Sequence, residues 1–411
     1  MNQVSFILLT TAFANFITAF GGGSVLGKAI GLIQLPFIHA GSLVAFFVGT
    51  VLGIYFLFWG FKKLKRNKEI LGAFLGALCS FLMLLILWIS PLHNGVLSGW
   101  IGFLFFTLLS FRFCFWFLTR ILRSDRLSVL SPKAIPLIEG FFHLGTIVSL
   151  GSLSIGWVSL GLVGTLILDL LTQLLGGLLD ILIQSRTQTV PVSQAEPPTK
   201  NTTEFKAIAT SVSVFTLVTV VIQVFIFHVS HLVPQSVGLV ILGCFYAGLA
   251  AAGLLSAYGE VRFVDSKRGF GNLAFGANSR FLISNLYLLF FLMIAILSFF
   301  LSARWEAWTM TTVAALLASF VYEIFCFGLL HRIQTNAERT SVDRPIAKAF
   351  SVMALGACVS MFALRMGHVG LSLCTFLSIG LLLACGYLLQ KENRNPSNAG
   401  PINSPVCGVT S

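Results

Sequence analysis

Stretches of roughly twenty apolar residues recur along this chain from its start to near position 390, each long enough to cross a ~30 Å hydrocarbon core as a helix. Hydrophobic residues make up 56% of the 411 and charged residues only 10%. A soluble domain carries roughly 25% charged residues. The apolar runs are continuous and do not alternate with polar residues, which excludes a transmembrane β-barrel. The expected fold class is therefore all-α: a polytopic membrane protein with twelve transmembrane helices, arranged as two six-helix bundles.

The first six spans are expected near 4–21, 40–61, 70–90, 97–120, 135–156 and 158–184. The second six are expected near 207–232, 236–257, 280–302, 306–330, 346–366 and 369–389. Between the halves lies Arg186–Lys206, the one long polar run before the tail, with Pro191, Pro197 and Pro198 among Thr, Ser, Gln and Asn. Such a composition has no apolar face to bury and predicts an extended linker. The domains are thus 1–186 and 206–390, joined by a linker at 187–205 and followed by a polar tail at 391–411. The N-terminal stretch resembles a signal h-region but lacks a basic n-region and an A-x-A site, so it reads as a retained first span.

The net charge of +12 has its origin in where the loops lie. Of the 26 Lys and Arg, all but Lys28, Arg112, Arg304 and Arg365 fall in the even-numbered loops, the linker or the tail. Under the twelve-span count these segments share one side. Basic loops mark the cytoplasmic side, so both termini are expected in the cytoplasm, and compact loops suggest a bacterial inner membrane. One irregularity is Gly21-Gly22-Gly23 after span 1, where three glycines should break or hinge a helix: span 1 continues bent beyond the membrane core, a short interfacial helix follows it, or the segment is a flexible outer loop.

The eight cysteines are scattered, seven of them inside apolar spans, with no CxxC pair, so no zinc site or disulfide framework is indicated. No HExxH, P-loop or GxSxG motif is present. No enzyme activity, cofactor or metal site is expected, and no nucleic-acid partner. A membrane enzyme acting on lipid-linked substrate is the alternative, but it rests only on Asp125 in the loop 120–133. A scaffold without substrate is a third reading.

Spans 4 and 10 end alike, as FRFCFWFLTRILRSDR and YEIFCFGLLHRIQTNAER. Arg112 precedes Arg120 by eight residues, as Glu323 precedes His331, which places each ~12 Å inside its helix end. The following loops each reach a proline before the next span, Pro136 and Pro345. Duplicated six-helix halves with both ends inside and a long central linker resemble the major facilitator superfamily. The family's loop motif, G-x-x-x-D-R-x-G-R-[KR], is matched by Gly60 and the basic residues through Lys68, but Leu64 and Asn67 replace its acid and second glycine. Arg112 is followed by no glycine of the kind that the family's span-4 motif carries. The resemblance implies that spans 1, 4, 7 and 10 line a central cavity, with Arg112 and Glu323 facing each other across it.

Ionisable groups inside a bilayer cost roughly 2.5–3.5 kcal/mol at a helix centre and persist where paired or facing a wet cavity. The candidates are Arg112, Glu139, His143, Asp169, Asp180, His228, Glu323 and Arg365. Arg112 is expected either to pair with Glu139 or to bind an anion. Asp169, Gln173 and Asp180 share a face of span 6, with His143 as the expected partner of Asp169 and Asp180 read as interfacial. Glu323 has no basic neighbour in sequence and is the candidate for proton coupling. His228 and Arg365 read as interfacial. Two polar stripes run down the first helix of each half: Thr11, Asn15 and Thr18 in span 1, and Thr216, Thr219 and Gln223 in span 7. They serve either helix–helix hydrogen bonding or cavity lining.

The expected function is secondary transport of a small polar or amphipathic solute by alternating access, with proton coupling. An amino acid or a small organic anion would suit Arg112 opposite Glu323. The expected partners are that solute, protons or another coupling ion, and the lipid bilayer, with the protein itself a monomer.

Overall fold

The computed structural model describes residues 3–34, 68–89, 99–128, 134–154, 161–187 and 235–263, with isolated helical positions between 44 and 56, 309 and 323, and 380 and 387. Every extended element among the described residues is an α-helix. Spans 1, 3, 4, 5, 6 and 8 correspond to helices Gln3–Gln34, Lys68–Ile89, Gly99–Ser128, Ala134–Ser154, Leu162–Thr187 and Gln235–Phe263. Residues 188–205 of the linker, the tail and all of spans 7, 9 and 11 lie outside the described residues.

The span-1 helix packs against spans 5 and 6, and the span-3 helix against spans 4 and 6. Gln3 donates a side-chain hydrogen bond to the Arg186 carbonyl at 3.1 Å, so the chain start and the end of span 6 share one end of the bundle. The lipid-facing surface is apolar, with Leu9, Phe13, Leu171 and Leu178 exposed. Trp88 and Trp100, 82% and 85% exposed, flank the connection between spans 3 and 4. Exposed Trp at span ends is the pattern of an interfacial aromatic belt. Inside, the bundle reverses this order: Arg112, Arg123, Asp169 and Asp180 are each at most 1% exposed.

Two expectations change here. The three glycines do not break span 1: the helix runs unbroken for 32 residues, about 48 Å at 1.5 Å per residue. The glycines serve packing. A Cβ on Gly22 would lie 2.5 Å from the Trp116 indole, and one on Gly23 would lie 3.2 Å from Thr146 and Ser149. Small residues let helix backbones approach closely in a membrane, where packing drives association. That gain offsets the ~1 kcal/mol that each glycine costs a helix interior. The second change is in span 4, which continues as helix to Ser128. Arg120 and Arg123, assigned from sequence to a loop, are helical.

The segments expected to form the two halves meet where the span-5 helix packs on the span-8 helix. Gly140 and Gly253 bring the two backbones together: a Cβ on Gly253 would lie 2.8 Å from the Gly140 Cα and the Pro136 carbonyl oxygen. Span 8 then passes to span 10, where Gly248 sits against Leu316 and Ser319.

Candidate functional site

Two polar assemblies occupy the described interior. The first joins spans 4 and 6 through two Arg–Asp rungs. In the upper rung, Arg112 Nε donates to Asp169 Oδ2 at 2.6 Å while Nη2 donates to Oδ1. Ser80 of span 3 also donates to Asp169 Oδ2. Gln173 donates to Asp169 Oδ1 at 3.4 Å and to the Thr18 carbonyl at 3.3 Å. In the lower rung, Arg123 Nε lies 3.1 and 3.0 Å from the two Asp180 oxygens, and Nη2 donates to Oδ2 at 2.7 Å. Arg123 Nη1 donates to Asn15 Oδ1 at 3.1 Å and to Thr18 Oγ1 at 3.0 Å.

Forked contacts of this kind match the planar guanidinium to a carboxylate. Burying four charges is tolerable only because each meets an opposite charge and further hydrogen bonds. The polar stripe of span 1 is therefore drawn into the bundle: Asn15 and Thr18 hold Arg123, and Thr11 donates to the Ile7 carbonyl of its own helix at 2.9 Å.

The second assembly lies at the seam between the halves. Arg120 of span 4 pairs with Glu139 of span 5 at 3.1 Å, and its guanidinium rests over the Phe142 ring at 4.7 Å. His143, one turn beyond Glu139, places Nε2 3.9 Å from Glu139 Oε2. The same nitrogen lies 3.3 Å from Glu323 Oε1 of span 10. The imidazole is walled by Phe142 and Tyr246, with ring centroids 5.4 and 5.8 Å away. His143 and Glu323 are 3% and 6% exposed.

The pairings differ from those expected. Arg112 meets Asp169 rather than Glu139, because both lie on faces turned into the first half, whereas Glu139 faces the seam. His143 likewise serves Glu139 and Glu323 rather than Asp169. Asp180 is fully buried, not interfacial, because span 4 remains helical long enough to bring Arg123 to it. Glu323 does have a partner across the halves, and it is His143, not Arg112. Thr219, Gln223, His228 and Arg365 lie outside the described residues. Sequence reasoning missed Arg123 and Arg120 as interior groups. The signal was present in the spacing: Arg112 and Arg123 are eleven apart, as are Asp169 and Asp180, so each pair shares a helix face.

No protein-family model and no curated protein matches this chain. Solved structures do. A bacterial homologue of the iron transporter ferroportin, in its outward-facing state, superposes with a TM-score of 0.64 at 11% identity, covering 94% of this chain and 99% of that one. The POT-family transporter PepTSo gives 0.60 at 11% identity, covering 97% and 98%. The E. coli fucose:proton symporter gives 0.54 at 12% identity, covering 95% and 99%. The chain thus has the all-helical, major-facilitator-type fold of these transporters, and is an integral, multi-pass membrane protein.

Proposed function

We propose that the protein is a secondary transporter that moves a small polar or amphipathic solute by alternating access, coupled to an ion that binds at Glu323. The observation that carries this reading is the contact of His143 on span 5 with Glu323 on span 10. Among the described residues, the other buried ion pairs and polar rungs lie within spans 1 to 6. When the two halves rock apart, a buried carboxylate loses its partner, so its ion occupancy and the rocking are thermodynamically linked. A proton or another cation on Glu323 would offset that loss.

Arg112 does not supply a free cation for the solute, since Asp169 already matches its charge. The solute's charge is therefore left to residues outside this pair. The likeness in fold to a fucose:proton symporter and a POT-family transporter supports small-solute transport. We further propose a monomer in a bacterial inner membrane; the distribution of Lys and Arg supports both termini being cytoplasmic.

The test is counterflow exchange in proteoliposomes, using a panel of labelled sugars, amino acids, peptides and organic anions. Exchange of one class above protein-free vesicles supports the reading. No exchange across the panel, from protein that is folded by thermal melting, would sink it.

A further inference from the structure

We infer that Glu139, His143 and Glu323 together bind a divalent transition-metal cation at the seam between the two halves. The inference rests on the assignment of Glu323 to ion coupling and names the class of ion.

The donor set is one imidazole nitrogen and two carboxylates, all buried, with one ligand atom from each within 4.8 Å of the others. A nitrogen–oxygen set of this kind suits Zn²⁺, Mn²⁺ or Fe²⁺. A cation about 2.1 Å from three donors holds them roughly 3–3.6 Å apart. His143 Nε2 and Glu323 Oε1 already stand at 3.3 Å. Glu139 Oε2 at 3.9 Å needs only a small side-chain rotation. Glu139 and His143 are spaced i, i+4 on span 5, so one helix face delivers both ligands.

A second, independent observation points the same way. Neither ring nitrogen of the almost fully buried His143 makes a contact of hydrogen-bond geometry, although Nε2 lies 3.3 Å from Glu323 Oε1. A buried polar group left in that condition costs free energy. Its Nε2 lies between the two carboxylates, where a metal bond would satisfy it.

Arg120 opposes the cation. Its guanidinium lies 3.1 Å from Glu139 and over the Phe142 ring, and at 18% exposure it is the most exposed charge of the assembly. It acts as a displaceable counter-ion, so its removal should strengthen metal binding. A plain ion-paired latch predicts no such gain.

The test is calorimetric titration of the purified, full-length protein with Zn²⁺ alone. One Zn²⁺ per chain is expected. Affinity should fall about tenfold or more in His143→Gln and in Glu323→Gln, as for loss of groups that support a metal. It should rise in Arg120→Gln. His143→Cys, which keeps a zinc ligand, should retain binding where His143→Gln does not. Melting of each variant without metal separates ligand loss from misfolding, and the Cys–Gln contrast stands even if both are destabilised. No saturable binding below millimolar Zn²⁺, or equal affinity in all four variants, overturns the inference. Solute exchange that persists in protein without a Zn²⁺ site would leave the transport reading intact. Zn²⁺ binding without exchange of any solute would instead remove the transport reading alone.

Discussion

Arg112 on span 4 grips Asp169 on span 6 through paired hydrogen bonds, and eleven residues further along both helices Arg123 grips Asp180 in the same manner. Eleven residues make close to three helical turns, so the two rungs stand about 16 Å apart on matching faces. Equal spacing on both helices requires that spans 4 and 6 run parallel and nearly in step.

This ladder sets the first prediction. Arg112→Ala leaves Asp169 as an unpaired buried charge and should destabilise the protein by about 3–5 kcal/mol. The double variant Arg112→Leu with Asp169→Leu removes both charges and should be more stable than either single Leu variant. Chemical unfolding in detergent measures all of these. Additive losses in the double variant would show that the two groups do not interact.

Gly22 sets the second. Its missing side chain admits the Trp116 indole, and a Cβ there would approach to 2.5 Å. Gly22→Val should cost about 1–3 kcal/mol by overpacking. Trp116→Leu in the same chain should recover part of the loss by making room. If Gly22→Val melts like the parent, the close approach of spans 1 and 4 is not what the glycine serves.

Glu323 sets the third. Glu323→Gln keeps shape and hydrogen bonding while removing the charge that faces His143. Concentrative uptake should be abolished and counterflow exchange largely kept, since exchange needs rocking but no net ion movement. Uptake against a gradient at the parent rate would assign coupling elsewhere.

The linker sets the fourth. Residues 187–205 have the composition of an extended tether, so protease should cut there in inside-out vesicles while the halves remain associated. A cut confined to right-side-out vesicles would invert the topology.

The described spans were legible because bilayer thickness imposes span length, whereas Lys and Arg were a poorer guide to loops, since Arg120 and Arg123 prove helical. The site was less so. Composition identified Arg112, Asp169, Glu139, His143 and Glu323 as the groups worth attention, since each is costly in an apolar span. Which of them meet depends on helix rotation and on where span 4 ends. Sequence placed that end at 120, and the eight further helical residues carry Arg123 to Asp180. The glycine triplet misled for a related reason. Local propensity disfavours helix there, whereas tertiary packing against Trp116 and Thr146 favours it. Both errors are cases of local preference yielding to contacts between distant segments.

The crossing of Gly140 and Gly253 has one further consequence. Glycine on both helices removes two side chains that would otherwise have to mesh, and leaves Leu254 as the tooth that bears on Gly140. Rotation about that point would have to carry Leu254 across the face of Gly140, and the polar groups around His143 would add their own resistance.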